Sequence, residues 1–261
     1  MIYQLTNDND ALFDSLKRGS YSRRMRSHYM SYGTKYDFAR FFAICRGDKE
    51  IGLISIFNAS SLVCDLEGFV FSDDELEEIC GFLNIQKPYS IELDPLYACR
   101  MAYMLDELYR TEHRKEFAYV PRGELPDIEV DEMPALDDVY AILRESFPAL
   151  ANSYELWLTD TSHRIRRGLS QSFLIKGRST ATMQYIIDGV ALIGQVATLP
   201  EYRGQLYARR LLYWIGERLS DDGYEVHLFA RLHRVSYYEE IGFAAIAHDI
   251  VFELKDEYRI N

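Results

Sequence analysis

Residues 196–212 read VATLPEYRGQLYARRLL and carry the most informative pattern of the chain. The run Ala191–Leu199 is largely apolar and predicts a buried strand, whereas Leu206–Leu219 has apolar residues at helical spacing and predicts a helix. The first N–H groups of a helix have no partner inside it and form a positive concavity that suits a phosphate. Arg203 and Arg209 would add positive charge there. From spacing alone, an ordinary strand–turn–helix with solvated arginines is an equally good interpretation.

A second stretch, residues 231–243, reads RLHRVSYYEEIGF. Together the two stretches resemble motifs of the GNAT acetyltransferase superfamily, and the resemblance covers roughly residues 127–255. The loop motif of that family is Q/R-x-x-G-x-G/A, in which Arg203 matches the first position, Ala208 matches the last and Leu206 replaces a glycine. The segment Tyr238–Phe243 looks like the family motif Y-E-x-x-G-F, with Arg231 near the place of the usual asparagine.

The resemblance implies an α+β fold with a mixed, mostly antiparallel sheet flanked by helices, and acetyl-CoA as the co-substrate. Its pantetheine arm would pair with the backbone of Val196 and Thr198, and an N–H group between them, at or near Ala197, would stabilise the oxyanion. Tyr238 would protonate the departing thiolate. The pyrophosphate would be held, beside Arg203, by the backbone amides of Gly204, Gln205, Leu206, Tyr207, Ala208 and Arg209. The Leu206 side chain would crowd the phosphates, so we expect weakened rather than abolished binding.

The acceptor's proton needs a base, and the sequence names no single one. Glu145 and Glu155 are candidates by resemblance, although each is better explained on its own as a solvated carboxylate. His227 is better explained as a satisfied histidine within the sheet. Trp157 and Tyr154 would either line an acceptor pocket or pack in the core.

These features predict transfer of an acetyl group from acetyl-CoA to a primary amine, on a small molecule or a peptide, by direct attack in a ternary complex. The alternative is a non-catalytic GNAT-fold module that binds CoA or a protein partner. Use of a longer acyl donor is a further enzymatic variant. All four cysteines lie in the N-terminal half, so none is well placed to act as a nucleophile.

The length of 261 residues predicts one or two domains. The segment 119–127 contains two prolines and a glycine and is the best candidate linker, which predicts domains at 1–120 and 127–261. The two halves have a similar order of elements, and Phe41, Ser72 and Ser90 can be set against Phe173, Arg203 and Glu225. This hints at an internal repeat, although convergence of ordinary α/β patterns is an open alternative.

The N-terminal half would be a degenerate copy of the repeat. Its counterpart of the phosphate loop, residues 71–76, has no glycine and has three carboxylates, which would repel a pyrophosphate. Ser72 and Glu75 predict a capping box at the start of a helix there. Ile128–Val130 predicts an opening strand of the C-terminal half.

The net charge of −12 excludes a general nucleic-acid binder and is a poor match for an anionic membrane. The basic cluster between Arg18 and Tyr29 is therefore interpreted as a solvated or ion-paired helix face. No 18-residue apolar run and no leader pattern are present, so we expect a cytoplasmic protein. The cysteines lack zinc spacing, which predicts no metal site. A homodimer is one of the oligomeric states that the sequence leaves open.

Overall fold

A computed structural model describes residues 1–259 of the chain, which divides into two compact units. Unit 1 contains Met1–Arg114 and the segment that starts at His248, whereas unit 2 contains Lys115–Ala247. The boundaries of these units differ from the predicted domain division at 1–120 and 127–261. The last segment of the chain belongs with the first unit, and the predicted linker belongs with the second.

Unit 1 is built on an antiparallel meander that is followed by one parallel crossover. The strands β1 to β4 pair in sequence order. Strand β5 pairs in parallel with β4, and the helix α3 connects these two strands. On its other side β5 pairs with residues 251–253 of the last strand, β11. The elements in chain order are β1 (Ile2–Gln4), α1 (Asp10–Asp14), α2 (Ser20–Tyr32), β2 (Ala39–Arg46), β3 (Lys49–Phe57), β4 (Ser60–Asp65), α3 (Asp73–Gln86), β5 (Ser90–Leu93), α4 (Pro95–Leu105) and β6 (Tyr109–Tyr119).

Helix α3 forms where the local sequence predicts it. The Ser72 hydroxyl accepts from the Glu75 amide, and the Glu75 carboxylate accepts from the Ser72 amide, so the predicted capping box is present. Leu76, Ile79 and Leu83 recur at helical spacing and are buried on one face of the sheet. Helices α1 and α2 cover a second apolar cluster on the other face. Strands β2, β3 and β4 therefore bury residues on both of their faces, whereas Tyr3 and Gln4 of β1 are exposed.

A buried network of ion pairs joins α2 to the sheet of unit 1. Glu92 on β5 receives Arg24 from α2 at 2.5 Å and Arg114 from β6 at 2.6 Å. Arg114 also binds Asp249 at 2.7 Å, and Asp249 accepts a hydrogen bond from Tyr21. Two arginines of the basic cluster between Arg18 and Tyr29, Arg24 and Arg26, are therefore ion-paired, and Arg24 is buried.

Unit 2 contains a four-strand sheet in the order β10-β9-β8-β7, together with residues of β6 and β11. Strands β7, β8 and β9 are antiparallel, and β10 is parallel to β9. Helices α7 and α8 pack on one apolar cluster of this unit, and α5 and α6 pack on another. Its elements are α5 (Leu136–Leu143), α6 (Tyr154–Arg166), β7 (Ser172–Ile175), β8 (Ser179–Ile187), β9 (Val190–Thr198), α7 (Tyr207–Asp221), β10 (Glu225–Arg231), α8 (Val235–Ile241) and β11 (Phe243–Leu254).

The same order of elements recurs in the two units. Three antiparallel strands, a helix and a parallel strand form β2-β3-β4-α3-β5 in unit 1 and β7-β8-β9-α7-β10 in unit 2. Phe41 and Phe173 lie in the first strands of these series, and Ser90 and Glu225 begin the last. The order anticipated from the sequence is therefore present in the fold.

One predicted strand is wrong. Ile128–Val130 forms no strand, and only an isolated bridge joins Asp131 to Leu174. The amide and carbonyl of Asp131 exchange hydrogen bonds with those of Leu174 at 2.9 and 3.0 Å, but the pairing does not extend along the chain. Apolar alternation over three residues is too short to distinguish a strand from an extended segment that touches a sheet edge at one point.

The start of the predicted linker is fixed by α7. The buried Glu217 carboxylate accepts from the Tyr119 hydroxyl at 2.6 Å and from the amides of Arg122 and Gly123 at 2.7 and 2.9 Å. At Gly216 a Cβ atom would lie 2.6 Å from the Tyr119 ring, so this approach requires glycine. The segment is therefore an ordered part of unit 2 at this end.

Replacing Glu92 by glutamine is expected to destabilise unit 1 strongly. Arg24 and Arg114 would remain buried without their shared carboxylate, and losing one partner of a buried pair costs about 3–5 kcal/mol. Urea unfolding measures this loss. The control Glu78→Gln changes an ion pair in which the Glu78 side chain is 46% exposed, and its effect should stay below about 1 kcal/mol.

The same variant should differ from wild type in its pH dependence. Burial alone would raise the pKa of Glu92, but Arg24 and Arg114 outweigh it and lower the pKa from 4.5 to about 2. The stabilisation by the ionised carboxylate is complete above pH 4.5 and is lost as the pH falls through the folded-state value. The stability difference between wild type and Glu92→Gln should therefore shrink below pH 4.5. A constant difference down to pH 2.5 would contradict this assignment.

Candidate active site

A cleft opens in unit 2 where β9 and β10 stop pairing. Their parallel ladder runs from Val190 and Glu225 to Ile193 and Leu228. Beyond that point β9 continues to Thr198 and pairs only with β8 in the described registers. The backbone of residues 195–198 therefore presents an unpaired edge on its β10 side. The predicted pairing of a pantetheine arm with the backbone of Val196 and Thr198 requires such an unpaired edge.

Gly194 marks the position where the register changes. It is skipped in the pairing of β8 with β9, which is irregular between Thr182 and Tyr185. A Cβ atom at this position would lie 2.4 Å from Cγ of Gln184. Only glycine lets the bulged strand pass so close to its neighbour.

The first turn of α7 lies beside the end of β9. Leu206 is the N-cap residue, no side chain caps the helix, and the Arg210 amide donates to the Leu206 carbonyl at 2.9 Å. The N–H groups of Tyr207, Ala208 and Arg209 precede that first helical bond and are available to a ligand. A helix of 15 residues supplies a positive end at this point.

Leu206 has a left-handed backbone conformation, with φ of 64°. An L-residue with a Cβ atom is disfavoured there by about 1–2 kcal/mol. The left-handed backbone is a physical reason for glycine at this position of the motif, in addition to the predicted crowding of the phosphates by a side chain. The Leu206 side chain is 55% exposed, so little burial compensates the strain.

A cavity of about 590 Å³ lies between the end of β9, the start of α7 and the start of α8. Arg203, Arg209 and Arg234 contribute to its wall, and among the described residues that line it there is no carboxylate. In a chain of net charge −12, this is a local positive site. It includes nine of the predicted residues, Val196, Ala197, Thr198, Arg203, Gly204, Leu206, Tyr207, Ala208 and Arg209.

The remaining predicted residue of the loop, Gln205, is exposed, and its side-chain amide donates to the Glu201 carbonyl at 3.1 Å. The predicted arginines also have partners within the protein. Arg203 donates to the Thr198 carbonyl at 3.2 Å and to the Ser146 hydroxyl at 3.1 Å. Arg209 pairs with Glu240 at 2.5 Å, and its guanidinium lies 5.5 Å from the centre of the Tyr237 ring.

Several residues of the cavity were not predicted from the sequence. Ser146 and Phe147 follow α5 and come from far away along the chain, so no local pattern could have indicated them. Arg234 and Tyr237 are three residues apart in the second motif. This spacing places both on one face of a helix, and it could have indicated that they line the same cavity. The added lining residues are Ser146, Phe147, Tyr202, Arg234 and Tyr237.

The two predicted catalytic residues lie in different settings. Tyr238 is half-buried, with its ring 5.8 Å from that of Phe117 and 6.2 Å from that of Phe243. Burial raises the pKa of its phenol, and nearby Arg234 opposes this in part. Glu145 lies in the turn after α5, is exposed and pairs with Arg144 at 3.4 Å. Their catalytic roles stay predictions.

Most of the other candidate residues are buried side chains that pack or form hydrogen bonds inside unit 2. Trp157 is buried in the cluster under α5 and α6, and its indole N–H donates to the Gln195 side chain at 3.1 Å. His227 is buried and its Nδ1 lies 3.0 Å from Glu116, as expected for a satisfied histidine within the sheet. Glu155 and Tyr154 line a separate cavity of about 770 Å³ between α5 and α6.

The corresponding place in unit 1 is closed by side chains. The pairing of β4 with β5 continues to Leu93, the last residue of β5. Next to the end of β4, the buried Tyr97 hydroxyl donates to Asp65 at 2.7 Å, and the Phe71 ring lies 4.9 Å from that of Tyr97. The start of α3 is capped by the side chains of Ser72 and Glu75. Unit 1 therefore lacks the features that make the unit 2 cleft positive and open.

Within residues 1–259, no helix is long and apolar enough to span a bilayer. The same residues contain no group of three or more His, Cys, Asp or Glu side chains arranged to hold a metal ion.

Replacing Leu206 by glycine should stabilise the protein by about 0.5–1 kcal/mol, because the relieved left-handed strain exceeds the extra entropy of unfolded glycine. Leu206→Ala is the matched control: it shortens the same exposed side chain but keeps the Cβ atom, so it should give no gain. Chemical denaturation compares the three proteins. A glycine variant no more stable than the alanine variant would contradict the strain assignment.

Several solved structures share this fold. An acetyltransferase of the GNAT family from Colwellia psychrerythraea is 17% identical, with 98% of this chain and 100% of that chain covered at a TM-score of 0.57. A tandem GNAT protein from the clavulanic acid biosynthesis pathway is 12% identical, with 97% of each chain covered at a TM-score of 0.60. A GCN5-related N-acetyltransferase from Sphaerobacter thermophilus is 16% identical, covering 81% and 79% at a TM-score of 0.56.

These likenesses, at low sequence identity, confirm the predicted fold class and its arrangement in two tandem GNAT-like halves. Comparison with curated proteins gives no match. At the level of sequence, residues 136–243 match the family model described as Acetyltransferase (GNAT) family. This segment contains the cleft, α7 and the whole of the second motif, so the part of the chain that matches the GNAT family model includes the candidate site.

Proposed function

We propose that unit 2 transfers an acetyl group from acetyl-CoA to a primary amine by direct attack in a ternary complex. The observation that carries the proposal is the cavity of about 590 Å³ beside the uncapped start of α7. It combines an unpaired strand edge, free helix N–H groups and three arginines. A peptide-like arm needs the first of these features, and a pyrophosphate needs the other two.

The residues present fit acetyl-CoA as the donor. The apolar wall from Val196, Ala197 and Phe147 suits the arm, and the arginines suit the phosphates. When bound, acetyl-CoA supplies an acetyl thioester that an amine can attack. The backbone of Val196 and Thr198 would hold the arm, and an N–H group of this segment would donate to the thioester oxygen.

Proton transfer is assigned to two side chains. Tyr238 lies on α8 in the same unit, and its raised pKa keeps the phenol protonated at neutral pH, as a general acid for the thiolate requires. Glu145 follows α5 and precedes the lining residues Ser146 and Phe147 by one and two positions. It would accept the proton of the attacking amine, directly or through water.

Calorimetric titration with acetyl-CoA and with CoA tests the donor site. We expect binding in the micromolar range, and a loss of at least about tenfold in affinity for Arg203→Glu, which reverses a charge in the cavity wall. Lys176→Glu reverses a charge on the exposed turn between β7 and β8 and serves as the control. No binding by the wild-type protein at millimolar ligand would refute the proposal.

The role of Tyr238 is tested by Tyr238→Phe. Loss of a general acid should lower kcat by about 10²-fold while the Kd for acetyl-CoA stays within about twofold. Tyr224→Phe makes the same change at another partly buried tyrosine packed on this core and should leave both constants unaltered. An equal loss of affinity and turnover in Tyr238→Phe would assign the hydroxyl to structure instead. Binding of acetyl-CoA without turnover on any amine of a broad panel would favour the non-catalytic module.

A further inference from the structure

Gln195 is the first residue of the unpaired edge of β9. It directly follows the bulge at Gly194 and precedes the residues that would hold the arm of the donor. The start of α7, where the pyrophosphate would lie, comes after the end of the strand at Thr198. A donor arm laid along this edge therefore runs from Thr198 toward Gln195. On the proposed function, the acyl end of the donor, which the amine has to attack, lies next to Gln195.

The side chain of Gln195 is oriented by a buried tryptophan. The indole N–H of Trp157 donates to Oε1 of Gln195 at 3.1 Å, and Trp157 is buried in the cluster under α5 and α6. An indole N–H can only donate a hydrogen bond, so the amide atom that faces it has to be the oxygen. The bond therefore fixes which end of the Gln195 amide is left for a ligand, and that end is the NH₂ group.

The NH₂ group of Gln195 is an unused pair of donors. Among residues 1–259, none forms a hydrogen bond with its Nε2 atom. The side chain is half-buried, and Nε2 is not one of the fully buried atoms that lack a partner, so a molecule in the cleft can reach it. Donors that are held in one direction beside a reacting centre recognise an oxygen atom of the substrate.

The side chains that flank this amide are uncharged. Thr182 is the cross-strand partner of Gln195, Ala197 lies two residues further on the same face of β9, and Trp157 covers them. A carboxylate bound here would lose its hydration without a cation to compensate it. A neutral oxygen needs only the hydrogen bond that the amide offers.

We infer that Gln195 recognises the acceptor, and that unit 2 acetylates primary amines that carry a neutral hydrogen-bond-accepting oxygen on the carbon next to the amine-bearing carbon. The oxygen has to be this close to the nitrogen because Gln195 lies beside the position of attack. Trp157 is a positioning residue, since it aims the NH₂ group and does not itself contact the acceptor. The inference rests on the proposed function and deepens it by naming the class of acceptor.

The test compares acetylation within two matched pairs of amines. Ethanolamine is paired with propylamine, and methoxyethylamine is paired with butylamine, so the members of a pair have the same number of heavy atoms. The proteins are wild type, Gln195→Glu, Trp157→Phe and Gln171→Glu. Selectivity is the ratio of the two kcat/KM values within a pair. It is compared between proteins, because the difference in basicity between two amines is the same for all of them.

Gln195→Glu is the decisive variant, because its carboxylate still accepts from Trp157 but has no N–H donors. An ether oxygen can only accept, so we expect the selectivity for methoxyethylamine to fall about fivefold to tenfold, the effect of one lost hydrogen bond. The selectivity for ethanolamine should fall less, since its hydroxyl can turn and donate to the carboxylate. The Kd for acetyl-CoA, measured by calorimetry, should stay within about twofold of wild type, because the donor contacts are unchanged.

The other two variants separate positioning from general effects. Trp157→Phe removes the indole N–H and lets the Gln195 amide rotate, so it should lower both selectivities without changing the Kd for acetyl-CoA. Gln171→Glu removes an amide donor that binds the Glu132 carbonyl elsewhere in unit 2, and it should keep the selectivity of wild type.

The outcomes distinguish this inference from the proposed function. An unchanged selectivity in Gln195→Glu, with an active wild type, overturns the inference alone. So does a wild type that acetylates other amines but neither oxygen-bearing one. A parallel loss of acetyl-CoA affinity and selectivity also overturns it, since Gln195 would then support the cleft. If wild type acetylates no amine of a broad panel, the proposed function fails and this inference fails with it.

Discussion

The structure of the candidate site depends on the point at which β9 and β10 stop pairing. Their ladder ends at Ile193 and Leu228, and Gly194 provides the bulge that turns the rest of β9 away. Unpaired backbone groups are unfavourable unless water or a ligand satisfies them. The edge at Val196–Thr198 is therefore open to water or to a ligand, and the start of α7 and its arginines lie beside it.

The two units have the same order of elements, but the helix that follows the third antiparallel strand begins differently in each. In unit 1 the helix after the third meander strand is capped by Ser72 and Glu75, and Tyr97 fills the space next to Asp65. In unit 2 the helix in the same place has no side-chain cap, and arginines surround its start. A chain with a strongly negative total charge can therefore hold a positive site, because a few local charges outweigh a distant average.

Features that depend on residues close together in the chain could be predicted from the sequence, whereas contacts between distant residues could not. The capping box of α3 and the apolar face of α7 involve residues within one or two turns, and both were predicted correctly. The loop residues were found because a motif has a fixed spacing. Ser146 and the ion pairs of Glu92 join residues far apart in the chain, so no window contains both partners. The left-handed conformation of Leu206 was also beyond reach, since leucine itself gives no sign of it.

Unit 1 takes its residues from both parts of the chain that flank unit 2. Residues 251–253 pair with β5, and Asp249 binds Arg114. During translation, β5 and Arg114 are synthesised before unit 2, and the last segment of unit 1 is synthesised after it. One side of β5 must then stay exposed to other nascent chains or to chaperones until the last segment arrives. A premature stop before residue 249 would consequently damage the part of the protein that was synthesised first.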